Sequence, residues 1–149
     1  MRVPPMWRKC VIQKEEDIRA YALVSGGKDS LSVAHWLAER GMLKGCVAID
    51  TGIAIPEWRE FIEAVCHRQR WPLEIYAATK GPFGSWPVYE GLVKRFGFPG
   101  PGMHTMFMHW LKGRGIEAFN KIHPGELLAS GVRKGESQRP EQKWERAAK

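Results

Sequence analysis

Arg19-Ala20-Tyr21-Ala22-Leu23-Val24-Ser25-Gly26-Gly27-Lys28-Asp29-Ser30 is the stretch on which the reading of this chain turns. Residues 20–24 form a short apolar run that stops at a pair of glycines, which suits a strand buried on both faces of a parallel sheet. Residues 29–40 follow with Leu31, Ala34 and Ala38 on one stripe and Val33 and Leu37 beside it. That is the spacing of an amphipathic helix, and Gly41 stands at its end as a stop. The predicted helix therefore begins inside the glycine loop.

The same pattern repeats downstream. Gly45-Cys46-Val47-Ala48-Ile49-Asp50 reads as a second buried strand that ends at Asp50-Thr51-Gly52. Pro56 then opens a helix with Glu57 and Glu60 in its first turns. Trp58, Phe61, Ile62, Val65, Cys66 and Gln69 recur at helical spacing along it. Leu73-Glu74-Ile75-Tyr76-Ala77 reads as a third strand, and strand–helix–strand–helix–strand order with short links predicts right-handed βαβ units in a parallel sheet. Residues 79–102 are rich in Gly, Pro and aromatics, among them Phe83, Trp86, Tyr89, Phe96 and Phe98, with one short helix over 88–96. A helix is predicted over 103–120 with Phe107, Trp110, Leu111 and Ala118 inward, weakened in its middle by Gly113 and Gly115. Residues 126–130 complete a fourth strand. The expected organisation is an N-terminal arm over 1–18, one α/β domain over 19–140 with a mostly parallel sheet of four or five strands and helices on both faces, and a charged tail over 141–149.

Composition narrows the classes. At 149 residues the chain fits one ordinary domain. No apolar run approaches the roughly 20 residues that span a bilayer, and the first nine residues lack the apolar core of a secretory signal. A cytoplasmic protein with no membrane partner is expected. Three widely spaced cysteines, Cys10, Cys46 and Cys66, argue against a disulfide framework or a paired-cysteine metal site; Cys46 and Cys66 fall on apolar faces and read as core. A net charge of +7 favours a polyanionic partner, either nucleotide phosphates or a nucleic acid backbone.

The loop has chemistry of its own. Two glycines let the backbone turn tightly and approach an anion with no Cβ in the way. The first N–H groups of the helix have no intrahelical acceptor and carry partial positive charge, to which Lys28 adds a full one. The hydroxyls of Ser25 and Ser30 are further donors. The spacing is neither that of a Walker A loop nor GxGxxG.

Placed after a first strand, Ser25-Gly26-Gly27-Lys28-Asp29-Ser30 resembles the pyrophosphatase loop of the PP-loop superfamily, whose members use ATP or sulfonucleotides. Asp50-Thr51-Gly52 with Pro56-Glu57, Leu111-Lys112-Gly113-Arg114 and the segment from Gly131 through Arg133, Lys134 and Gly135 to Arg139 resemble the phosphoadenylyl-sulfate (PAPS) reductase family. The resemblance implies an adenine nucleotide alpha hydrolase-like, HUP-type sheet whose strand order reverses between the first and fourth strands. It also implies an adenine nucleotide as ligand, ATP or an adenylyl sulfonucleotide, with Mg²⁺ on the phosphates. On that reading Ser25, Gly26, Gly27, Lys28, Asp29 and Ser30 bind phosphates, and Lys28, Asp29 and Arg133 are the catalytic candidates. Asp50, Thr51 and Gly52 serve the ribose or a metal, and Gly131, Arg133, Lys134 and Arg139 grip a second phosphate or sulfate. Asp29 and Asp50 are the candidate Mg²⁺ ligands. Each has a plainer alternative: Asp29 can simply favour the helix start, Asp50 can cap a turn, and the basic residues after 131, like Lys112 and Arg114, can be solvated.

The chain departs from the reductases. The family's nucleophilic cysteine sits in a C-terminal Glu-Cys-Gly-Leu-His-like segment, whereas residues 141–149 hold no cysteine. Three cysteines cannot supply the four thiolates of an iron–sulfur cluster, so no cluster is expected. His104 and His109 are five apart, which puts them off one helical face. Three functions stay open: ATP pyrophosphatase or adenylyl or sulfur-group transferase with an unread acceptor, a nucleic acid included; a sulfonucleotide reductase or sulfotransferase subunit that takes its thiol from a partner; and a nucleic acid-binding module that stacks bases on Phe83, Trp86 or Tyr89. A homodimer that completes the pocket is a further expectation.

Overall fold

Four parallel strands carry the architecture of the computed structural model, which describes residues 18–77 and 87–131. In chain order the elements are β1 (Ala20–Leu23), α1 (Lys28–Glu39), β2 (Leu43–Asp50), α2 (Trp58–Gln69), β3 (Leu73–Ala77), α3 (Val88–Phe96), α4 (His104–Met108), a π-helical turn (His109–Gly113), α5 (Arg114–Ile122) and β4 (Leu127–Ser130). The sheet order is β3-β2-β1-β4, with every pairing parallel. The chain thus steps outward twice from β1 and then returns to the other side of it. The α/β class, the parallel sheet and the short helix at Val88–Phe96 agree with the sequence reading. No described helix is long and apolar enough to cross a membrane.

Alternation along the strands sorts the two faces. Ala20, Ala22, Cys46 and Ala48 point to α1 and α2, where they pack with Ala34, Leu37, Ile62 and Cys66. Tyr21 and Tyr76 point the other way and meet Phe119 of α5 edge-on, at 5.1 and 6.0 Å between ring centres. Cys46, Val47 and Ala48 are all fully buried, the two-sided burial that an uninterrupted apolar run signals. Ile62 and Phe119 are fully buried too, and each contributes about 1.5–3 kcal/mol relative to exposure. A smaller cluster of Val88, Leu92, Phe107 and Leu111 joins α3 to α4.

The helix predicted over 103–120 is present as an unbroken helical run, α4 through α5, with an unforeseen π-turn in its middle. Phe107, Leu111, Gly115 and Phe119 are the buried positions, each four residues after the last. An α-helix turns about 100° per residue, so a spacing of four drifts by about 40° per step. The wider π-turn takes up that drift, and Phe119 faces inward where Ala118 was expected. Gly115 is where the helix touches the sheet, since a Cβ there would lie 2.8 Å from Ile49 Cγ2. Trp110, also expected inward, is half-buried with the Arg114 guanidinium 4.5 Å over its ring.

Candidate functional site

β1 runs out at Leu23, and Gly26 turns the chain at φ +88, a conformation that a side chain disfavours. Gly27 caps α1 in an extended conformation and Lys28 opens the helix. Leu31 N–H makes the first intrahelical bond, to Gly27 O at 3.1 Å, so the helix amides before it have no acceptor within the helix. Lys28 is exposed on this first turn, and Asp29 is half-buried beside it. The loop is braced from within. Ser30 Oγ donates to Gly27 O at 2.8 Å and accepts Ser25 N–H at 3.1 Å, while the Ser25 hydroxyl lies 3.3 Å from it. Ser30 is buried, and its hydroxyl proton is used in holding the loop.

α2 supports the loop from one side. Trp58 Nε1–H donates to Ser25 O at 2.9 Å, and the rings of Trp58 and Phe61 lie 3.6 Å from the position a Cβ would take on Gly26. The sequence places both residues on the apolar stripe of α2. Phe61 is instead 47% exposed. The Trp58 contact spans 33 residues of sequence, which no local spacing reveals.

β2 ends on Asp50, whose Oδ1 accepts the N–H of Gly52 at 2.9 Å. This is the turn-capping geometry of an Asx turn, and it leaves the second carboxylate oxygen without that duty. Thr51 is half-buried and Gly52 exposed. These residues, with Ile53, Tyr89 and Glu90, line a cleft of about 220 Å³. Tyr89 packs edge-on against Phe107 at 6.0 Å, so its ring is committed to the small core.

β4 reaches the loop at Gly131. A Cβ there would lie 2.6 Å from Asp29 O and 3.1 Å from Ser30 N, so the backbone after β4 presses directly on the first turn of α1. The strand ends thus bring Ser25, Gly26, Gly27, Lys28, Asp29, Ser30 and Gly131 together, with Asp50, Thr51 and Gly52 at the neighbouring strand end. Arg133, Lys134 and Arg139 lie outside the described residues, as do Cys10, Phe83 and Trp86. Lys112 is exposed in the π-turn, and Arg114 is engaged with Trp110. His104 and His109 are exposed, and among the described residues no group of three or more His, Cys, Asp or Glu is placed to hold a metal.

Cys46 and Cys66 are free, buried and face each other across the β2–α2 contact. Burial pushes the Cys46 thiol up to about 12, with Cys66 adding to the effect. Burial raises the Cys66 thiol too, against a lowering hydrogen bond from Cys46. Both stay protonated, so neither is a nucleophile at neutral pH.

No family model matches the chain, and no curated protein matches it. Among solved structures, the fold is similar to the phosphate complex of phosphoadenylyl-sulfate (PAPS) reductase from Candida auris, with a TM-score of 0.51 and 19% sequence identity. The match covers 80% of this chain and 56% of that one, so the chain spans little more than half the length of its structural neighbour. The likeness is one of fold.

Proposed function

We propose that this chain binds an adenine nucleotide on the loop from Ser25 to Ser30 and acts as a PAPS reductase-like PP-loop enzyme, an ATP pyrophosphatase or a transferase of adenylyl or sulfur groups. The observation that carries this reading is the helix start at Lys28, set beyond the carboxyl end of β1 where the sheet order reverses between β1 and β4. Open α/β sheets take their ligands at such a switch point. A helix start is also a ready anion site.

In this reading the Gly26 and Gly27 amides and Lys28 hold the terminal phosphates. Asp50, Thr51 and Gly52 serve the ribose or a metal. Gly131, Arg133, Lys134 and Arg139 grip a second phosphate or sulfate. An acceptor atom bonds to the α-phosphorus, the bond from that phosphorus to the bridging oxygen breaks, and pyrophosphate leaves with the electron pair. Lys28 and the loop amides stabilise the charge growing on the leaving group; losing one such donor costs about 10²- to 10³-fold in rate. Asp29 and the second oxygen of Asp50 suit Mg²⁺, which takes one or two carboxylates and otherwise substrate phosphates and water. When bound, the ion neutralises phosphate charge.

The test is pyrophosphate release from ATP with Mg²⁺ and candidate acceptors, nucleic acid included. Lys28→Ala should lower the rate about 10²- to 10³-fold, and a wild-type protein that neither binds nucleotide nor releases pyrophosphate would sink the reading. A second reading, a sulfonucleotide reductase or sulfotransferase subunit supplied with a thiol by a partner chain, is favoured by the fold likeness and by the burial of Cys46 and Cys66. Calorimetry separates the two: adenylyl sulfate binding far more tightly than ATP selects the second.

A further inference from the structure

We propose that Trp58 is a positioning residue for the glycine loop, fixing the direction of the Gly26 N–H through the carbonyl of Ser25. The inference rests on the nucleotide reading for its purpose, but its geometry stands without it.

A peptide group is planar, and in the trans form its C=O and N–H point to opposite sides. The described peptides contain no cis bond. Ser25 O and Gly26 N–H belong to one such plane, so whatever holds the oxygen also aims the N–H. The holder is the Trp58 indole, whose Nε1–H donates to Ser25 O at 2.9 Å. The carbonyl is thereby drawn toward α2, and the Gly26 N–H is turned away from it.

The lock is needed where it is found. Gly26 sits at φ +88, and a residue without a Cβ passes easily between positive and negative φ, which makes rotation of the preceding peptide plane cheap. The bonds made by Ser30 do not prevent that rotation, because they hold Ser25 N–H and Gly27 O and leave the Ser25–Gly26 peptide between them. The rings of Phe61 and Trp58 lie 3.6 Å from the position a Cβ would take on Gly26, so both border the loop on its α2 side. Trp58 itself is held by the first turn of α2, where its N–H bonds Ile55 O at 3.0 Å and Glu57 O takes Phe61 N–H at 3.0 Å.

The experiment uses the full chain, labelled with ¹⁵N, and two variants. Trp58→Phe removes the N–H and shrinks the ring; β-(3-benzothienyl)alanine at position 58 keeps the ring size and lacks only the N–H. In the first arm, without ligand, conformational exchange of the backbone amides is followed by ¹⁵N relaxation dispersion. In both variants the population of a rotated Ser25–Gly26 peptide should rise roughly 3- to 10-fold, the factor expected for one net hydrogen bond, read as added exchange broadening at Gly26 and Gly27, while Ala22 and Val47 in the sheet keep their wild-type dispersion. Loop amides with wild-type dispersion in the benzothienyl variant overturn the proposal, and so does broadening that spreads equally through β1 and β2. In the second arm Mg²⁺–ATP is titrated, and the variants should bind about 3- to 10-fold more weakly. Equal affinity in wild type and variants overturns the positioning role. A wild-type protein that binds no nucleotide counts against the proposed function, and the exchange arm then decides the Trp58 proposal alone.

Discussion

Gly131 has no room for a methyl group. A Cβ there would fall 2.6 Å from a backbone oxygen of α1, which cannot swing aside as a flexible side chain would. Gly131→Ala should therefore cost about 1–3 kcal/mol of stability, the usual toll of overpacking, read as a lowered urea midpoint with unchanged slope. Lys28→Ala should leave that midpoint within about 0.5 kcal/mol of wild type, because the side chain is exposed, so a lost activity in that variant reports on chemistry. The turn at Gly26 and the helix start at Lys28 could be read from sequence, because the glycine pair ends an apolar run and precedes an amphipathic repeat. Trp58 could not. Its helical spacing marks it as core, and only the tertiary fold turns its indole N–H onto Ser25.

Elements with one constant period were legible, and in the helix that changes period the extent and the inward Phe107 and Leu111 were legible while the change itself was not. The strands announce themselves by unbroken apolar runs, and α1 stops where Gly41 was expected to stop it, with Gly41 N–H on Ala38 O. The π-turn defeats any reading that assumes a fixed angle per residue. Deleting Lys112 should restore α-geometry locally, and the eleven remaining steps of about 100° bring Phe107 and Phe119 to within about 20° of one face. Both core residues then stay inward, so stability should change by about 1 kcal/mol or less, measurable by chemical denaturation. α2 ends differently from α1: Arg70 takes the left-handed position at φ 57 with its N–H on His67 O at 3.1 Å. That conformation strains an L-residue, so Arg70→Gly should stabilise by about 0.5–1 kcal/mol, net of the extra freedom glycine gives the unfolded chain. A rise in thermal midpoint checks it.

Across the whole molecule, β3 is tied to the far end of α5 by a polar cluster. Glu74 accepts from Tyr76 Oη–H at 2.5 Å and pairs with His123 Nε2 at 2.9 Å, with Tyr21 against the histidine ring at 5.1 Å. Partial desolvation works to raise the Glu74 carboxyl, but the bonds from Tyr76 and His123 and the charge of His123 outweigh it and hold the group below its ordinary value. A carboxyl lowered on folding adds stability above its unfolded pKa, and that increment disappears as pH falls through the folded one. Wild type should therefore exceed Glu74→Gln in stability at pH 6, with the gap closing by pH 3. The gap should be about 1 kcal/mol or less, since side-chain exposures of 23% and 35% leave the pair well solvated. The sheet order itself came from the resemblance, whereas this cluster joins residues 49 apart and had no sequence signal. The two buried thiols offer a last use. Cys46 and Cys66 meet where α2 lies on β2, so a thiol reagent reaches them only when that layer lifts away. In native protein they should react together, in one slow phase worth two thiols, and its rate is a stopwatch on how often the core breathes.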